Sequence, residues 1–141
     1  MANLPETRGC PVVRADFSDD RSWQRLKMEI TTSTEEGFGA NVEFVEDHTL
    51  LDLDEHAIID HYPRAYPHRY EHPVVFVVDT VALSEPEHPI LVINLNAGVA
   101  VRPFRTTPRG VQSIENNLSI SNMDFVEFTN ATGADGIFRG F

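Results

Sequence analysis

The sequence predicts an α/β fold, a single-domain layered sandwich with a central mixed sheet of about five strands flanked by helices. Its length, 141 residues, suits one domain with a substantial core, here residues 1–141. Val74–Val78 is apolar throughout, as in strands that are covered on both faces. Strand-like and helix-like segments alternate in the first half, which is typical of layered α/β domains.

The first elements follow from local signals. A strand is predicted at residues 11–15, and Ser18 is predicted to cap the helix after it. Asp19 and Asp20 then lie in the first turn, where the helix dipole favours anions. The buried stripe of this helix is predicted from its spacing to be Trp23, Leu26 and Ile30. A second strand is predicted at Val42–Val45.

The middle of the chain is predicted to hold a short helix, a long loop and three strands. Asp54 caps the helix, which ends near Tyr62 because a proline follows and disfavours a helical residue before it. Residues 63–72 form the loop. The strands are predicted at Val74–Val78, 90–95 and 99–104. Pro103 lacks an N–H, so the last of them is expected at a sheet edge or with a bulge.

Two helices are predicted near the C-terminus. Thr107 is the N-cap and Pro108 the first residue of one, whose buried stripe is Val111, Ile114 and Leu118. Ser121 and Asp124 are spaced as a capping box for the other, which carries Phe125 and Phe128 and ends at Gly133. The last residues include two aromatics, Phe138 and Phe141. Since chain ends fray unless something holds them, this end is expected to be docked on the core or on a partner.

The acidic net charge of the chain limits the kinds of molecule that it is expected to bind. The net charge is −11, and residues 43–60 contain seven acids without lysine or arginine. Such a surface repels phosphate backbones, so the sequence predicts no nucleic-acid binding. The acids favour a basic protein partner or a cation, and the alternative is that they only keep the surface soluble. The apolar runs are too short to span a bilayer, no signal peptide is expected, and the single cysteine, Cys10, fits a reducing compartment. A cytoplasmic protein without membrane association is therefore predicted.

Two polar clusters are candidate metal sites. All six histidines lie between positions 48 and 88. His56 and Asp60 share a predicted helix face, and His61 lies beside them. Imidazole and carboxylate groups placed together in this way suit a transition-metal ion. No metal-site spacing is matched, and a His-rich surface loop is the alternative. Asp16, Asp19, Asp20 and Asp79 form the second cluster, where Asp16 and Asp79 follow strand ends and suit Mg²⁺. The stronger explanation is structural: the helix start accounts for Asp19 and Asp20, and the turn after its strand accounts for Asp79.

A third cluster lies near the C-terminus. Asparagine is a poor helix former, so its presence late in a predicted helix needs a reason such as a ligand hydrogen bond. The candidate ligand-binding residues are Arg105, Glu115, Asn116, Asn122, Asp124 and Arg139. The alternative is structural: the two arginines pair with Glu115 or Asp124 and hold the tail, and the asparagines make local bonds.

No catalytic or cofactor motif is present: the sequence lacks GxGxxG, a P-loop, GxSxG, HExxH and CxxC, and no cofactor is predicted. The chain does resemble an uncharacterised family of small, mostly actinobacterial proteins, classed as a domain of unknown function. The resemblance is carried by DFSDD at 16–20 with Trp23, by Phe104 and Arg105 with Pro108, by IENNLSI at 114–120, by NMDF at 122–125 and by DGIFRGF at 135–141. It implies a stand-alone cytoplasmic domain and supplies no activity.

Three functions remain open. The leading prediction is a non-enzymatic binding or regulatory module with an acidic protein-interaction face, because the chain is small, acidic and without catalytic motifs. The alternatives are a small-ligand-binding domain or enzyme that uses the C-terminal cluster, and a His-rich metal-binding protein. Homodimerisation through an edge strand or the apolar tail is a further expectation.

Overall fold

The architecture is a six-stranded mixed sheet with four helices, in a computed structural model that describes residues 7–32, 37–50, 64–65, 69–70, 72–95, 103–120 and 122–140. The strands are β1 (Cys10–Arg14), β2 (Val42–Val45), β3 (Arg64–Ala65), β4 (Arg69–Tyr70), β5 (Val74–Val78), β6 (Ile90–Asn94), β7 (Phe104–Thr106) and β8 (Ile137–Phe138). The helices are α1 (Asp20–Thr31), α2 (Thr80–Ser84), α3 (Gly110–Ser119) and α4 (Phe125–Asn130), and a 3-10 turn covers His48–Leu50.

The strand order of the main sheet is β2-β1-β5-β6-β7-β8. β1 runs parallel to both β2 and β5, whereas β6 is antiparallel to its neighbours β5 and β7, and β8 is parallel to β7. All of these strands except β6 therefore end at one edge of the sheet, which we call the carboxyl edge. The opposite one is the amino edge. β3 and β4 form a separate antiparallel pair.

The larger core lies between one face of the sheet and the helices. Trp23, Leu26 and Ile30 of α1 pack there with Phe76 of β5 and Phe128 of α4. The other sheet face carries a second buried cluster, which includes Val13, Val75, Val77, Ile93 and Leu50. Because every residue of β5 is fully buried, this strand lies in the middle of the domain.

Several predictions are confirmed. The fold class is α/β, the strands Val42–Val45 and Val74–Val78 have the predicted bounds, and α1 buries the predicted stripe. The predicted docking of the C-terminal end is confirmed for Phe138, which is 0% exposed. Phe141 lies outside the described residues, as do the helix predicted after Asp54 and residues 99–102 of the predicted fifth strand.

The sheet is slightly larger than predicted and two predictions about helix starts are wrong, and each difference has a local reason. The sheet has six strands because Ile137–Phe138 adds a two-residue strand too short to show alternation. The α1 cap is Asp19, whose carboxylate accepts from the Ser22 N–H, instead of Ser18. Asp79, expected only to start a turn, caps the helix α2 in the same way.

The predictions around the last helices also need correction. Pro103 precedes β7, so its missing N–H places no limit on the strand, which lies between β6 and β8. A turn closed by the Thr107 carbonyl and the Gly110 N–H delays the start of α3 by two residues relative to Pro108. The capping box of α4 begins at Asp124 and is completed by Glu127, three residues later than predicted.

Candidate functional site

The carboxyl edge is organised around Arg14, the last residue of β1, whose side chain is only 4% exposed. Its guanidinium donates to Asp20 Oδ1 at 2.6 Å and to Glu46 Oε1 at 3.2 Å. Its Nε donates to the carbonyl of Asp16 at 3.0 Å, and the group lies 4.6 Å from the centroid of the Phe17 ring. This cation therefore ties the end of β1 to α1 and to the end of β2.

Asp16 lies where the strand order reverses, beyond the ends of β1 and β5, which is the usual ligand position in open α/β sheets. Its Oδ2 accepts from Thr80 Oγ1 at 2.5 Å, and its Oδ1 accepts from the Ser18 N–H at 2.8 Å. The hydrogen bonds from Ser18, and then the one from the side chain of Thr80, hold the pKa of Asp16 below its ordinary value of 3.8. The carboxylate thus joins the two strand ends.

We expect the Asp16–Thr80 bond to make stability depend on pH. Because the folded-state pKa of Asp16 is lowered, its contribution is present above the unfolded pKa and disappears as the pH falls through the folded value. Thr80→Val keeps the shape and removes the donor, so it should cost about 1.5 kcal/mol of unfolding free energy at neutral pH. Urea denaturation from about pH 6 to about pH 2 should show this cost shrinking.

Ser84→Ala is the matched control, because the Ser84 hydroxyl donates to the backbone carbonyl of Thr80 in the same helix and no titrating group takes part. Its cost should stay constant over the pH range. An unchanged cost of Thr80→Val at low pH would show that the ionised Asp16 is not its partner.

Two further arginines complete the carboxyl edge with three ion pairs. Arg105 binds Asp79 with two hydrogen bonds, at 3.0 and 2.8 Å, and also donates to the carbonyl of Pro89. Arg139 binds Glu87 with two hydrogen bonds, at 2.7 and 2.8 Å, and Asp135 at 2.6 Å. The hydrogen bonds from this arginine hold the pKa of Glu87 and of Asp135 below the usual carboxyl values. The partners predicted for the two arginines, Glu115 and Asp124, are therefore wrong.

Glu115 lies at the amino edge, far along α3 from the arginines, and is 3% exposed. One carboxylate oxygen accepts from the Asn41 N–H and from Asn116 Nδ2, and the other accepts from Ser119 Oγ at 2.8 Å. Asn116 also donates to the carbonyl of Gly39 at 3.1 Å. These two residues therefore fix the segment that leads into β2.

Asn122 and Asp124 belong to the connection between α3 and α4. Asn122 donates to Asn117 Oδ1 at 2.8 Å, and Asp124 starts the capping box of α4. The six candidate ligand-binding residues are thus not gathered in one pocket: Arg105 and Arg139 lie at the carboxyl edge, and the other four support α3, α4 and the entry to β2.

The candidate metal ligands His56, Asp60 and His61 lie outside the described residues. Within the described ranges, no three histidine, cysteine or acidic side chains are grouped as a metal ion would require. Cys10 is buried in β1 and donates to the carbonyl of Val74 at 3.0 Å. Burial, and secondarily Glu115, raises the pKa of this thiol, which keeps it protonated.

The outer strand β2 is a second candidate surface. Among the strands that the structure describes, its hydrogen-bonded neighbour is β1 alone. Val42 and Phe44 are half-buried, and Glu43, Glu46 and Asp47 are exposed. Within the described residues this strand therefore combines an unpaired backbone edge with exposed acids, and the sequence indicated only the acids.

Sequence reasoning overlooked Arg14 and Glu46. Arg14 follows three apolar residues in a strand, and that position could have indicated a buried cation beside a strand end. Glu46 had no local signal, because its partners Trp23 and Arg14 are 23 and 32 residues away in the chain.

Comparison with known proteins places the chain in a family without giving it an activity. None of the helices in the described part is long and apolar enough to cross a membrane. No curated protein and no solved structure matches the chain. A family model described as "Domain of unknown function (DUF6924)" matches residues 9–141, and the chain therefore belongs to that family.

Proposed function

We propose that this protein is a cytoplasmic, non-enzymatic bacterial binding module that takes a basic, extended segment of a protein partner along the edge of β2. The observation that carries the proposal is the open, acid-flanked edge of this strand. An extended peptide can add to such an edge as a further strand, with main-chain hydrogen bonds giving affinity and side chains giving specificity.

The backbone of β2 supports this mode of binding. The Cys10 N–H donates to the Asn41 carbonyl at 2.9 Å, and β1 and β2 pair in parallel from Val42 onward. Because backbone groups point alternately to the two sides of a strand, the N–H and C=O of Val42 and Phe44 point away from β1. They are positioned to pair with an added strand.

Charge supports a basic partner. Glu43 at the centre of β2 and Asp47 after the strand are exposed, whereas Glu46 between them already binds Arg14, Trp23 and Lys27. In an antiparallel pair of two copies, Glu43 residues would approach each other, and like charges across strands are destabilising. A partner strand with lysine or arginine at these positions gains from the same acids, so a heterologous basic partner fits better than a homodimer or a nucleic acid.

The test is a titration with a short synthetic peptide that alternates lysine and valine, followed by amide chemical shifts of the labelled protein. The Val42 and Phe44 amides should shift, and binding should weaken as salt rises because exposed charges are screened. Val42→Pro removes an outward N–H while leaving the β1 ladder intact, and it should weaken binding about tenfold or more.

Val42→Thr is the matched control, because it retains the N–H and should bind the peptide like the unmodified chain. Glu43→Gln tests the charge separately, since this exposed side chain makes no hydrogen bond with a described residue. If the lysine peptide leaves the β2 amides unshifted, or if Val42→Pro and Val42→Thr bind it equally, strand addition at this edge is wrong.

A further inference from the structure

A cleft of about 500 Å³ opens at the carboxyl edge on the helical side of the sheet. Its walls are α1, the loop between α2 and β6, the start of α3 and the residue that follows β8. It is lined by Arg25, Glu29, Pro86, Glu87, His88, Thr107, Pro108, Arg109 and Arg139. We call it the arginine cleft. Its volume is within the range of sites for small organic ligands.

Three arginines from three separate elements meet in this cleft, although the chain as a whole carries a net charge of −11. Arg139 is neutralised by Glu87 and Asp135. Arg25 and Arg109, in contrast, are exposed and form no ion pair or hydrogen bond with any described residue. Among the described residues the cleft therefore holds two arginines without an ion-pair partner, one on α1 and one at the start of α3, although the Glu29 carboxylate, one helical turn from Arg25, also lines it.

Other groups in the cleft suit a ligand that is more than a bare anion. The His88 Nδ1–H donates to the Ala82 carbonyl at 2.8 Å, and in the neutral tautomer that this bond selects, Nε2 is an acceptor without a partner among the described residues, open to a ligand hydroxyl. The backbone of His88 has a φ of 49°, a left-handed conformation uncommon outside glycine, and the loop holds it there. Pro86 and Pro108 add apolar wall beside the charged groups.

We propose that the arginine cleft binds a small organic oxyanion, with a phosphate or carboxylate group placed at Arg25 and Arg109 and the rest of the molecule against Pro86 and Pro108. Guanidinium groups pair with both kinds of oxyanion through charge-assisted hydrogen bonds. The cleft is far larger than a single phosphate ion needs, so the ligand is an organic molecule that carries the anionic group. This site is independent of strand addition at β2.

The test uses four probes at constant ionic strength: inorganic phosphate, glucose 6-phosphate, citrate and uncharged glucose. Binding is followed by calorimetry and by the amide shifts of Arg25, His88 and Arg109. Glucose 6-phosphate or citrate should bind at the cleft and glucose should not. Tighter binding of glucose 6-phosphate identifies a phosphate ligand, and tighter binding of citrate a carboxylate.

The variants are Arg25→Gln, Arg109→Gln and, as control, Arg8→Gln, which removes the same charge from an exposed position before β1 at the amino edge. Each cleft variant should weaken binding about tenfold, and the control should leave it nearly unchanged. The melting temperature of each variant checks that folding is preserved.

Three results would overturn the proposal. The first is the absence of cleft shifts with both organic anions. The second is equal weakening by the control and the cleft variants, which would reduce the effect to net charge. The third is binding of inorganic phosphate as tight as that of both organic anions, which would leave no role for the rest of the molecule.

Discussion

Replacing Phe138 by alanine is expected to lower the free energy of unfolding by about 4 kcal/mol, a large share of the stability of a domain this size. The ring is 0% exposed and meets Phe128 edge to face, with 5.3 Å between the centroids. It also packs against the backbone of Gly110, where an added Cβ would lie 3.1 Å from the ring. The neighbouring side chains are held by helices and cannot move in to close the cavity that the ring leaves. The free-energy cost of this cavity therefore adds to that of the apolar surface no longer buried.

Urea denaturation followed by the fluorescence of Trp23, the single tryptophan, measures this effect. Ile137→Ala in the same two-residue strand is the control, because Ile137 is only partly buried and should cost about 1 kcal/mol. A loss for Phe138→Ala no larger than that of the control would mean that the C-terminal strand contributes little to the core.

Trp23→Ala is expected to cost a similar amount, about 4 kcal/mol. The indole is 0% exposed, contacts Phe44 edge to face at 5.7 Å, and donates from Nε1 to Glu46 Oε1 at 2.6 Å. The Arg14 guanidinium lies 5.4 Å from the ring centroid. One side chain thus connects α1 with β2 and with the buried arginine of β1, and its loss removes packing and a charge-assisted hydrogen bond together.

The measurement is urea denaturation followed by far-ultraviolet circular dichroism, since this variant has no tryptophan. Trp23→Phe keeps most of the buried area and loses the indole N–H, so it should cost about half as much. Met28→Ala on the same helix is the control, because Met28 is 71% exposed and its loss should change stability by less than about 0.5 kcal/mol. Equal costs for Trp23→Ala and Met28→Ala would contradict the role of the indole.

The elements predicted correctly are those whose signal is local and repeated. Trp23, Leu26 and Ile30 recur at helical spacing, and Val74–Val78 is apolar at every position. In contrast, α2 has five residues and β8 has two, too few to show a period. The cap of α1 was misplaced by one residue because Ser18 and Asp19 are both good capping residues and only the backbone decides between them.

The candidate site was less predictable because its contacts join distant parts of the chain. Arg105 pairs with Asp79, 26 residues earlier, and Arg139 pairs with Glu87, 52 residues earlier. Nothing in the local sequence selects these partners over Glu115 or Asp124. The position of Asn116 late in a helix did indicate that its side chain makes a hydrogen bond. That bond goes to the Gly39 carbonyl of the protein itself, however, and not to a ligand.

The position of Phe138 in the core has a consequence for synthesis on the ribosome. β8 pairs with β7, and its aromatic ring completes the packing of α3 and α4. A nascent chain that has released β1 to α4 still lacks this ring, so the packing of both helices stays incomplete until β8 emerges. The domain is therefore expected to reach its native state only after residue 138 has left the exit tunnel. Until then, chaperones that recognise exposed apolar surface can bind the incomplete core.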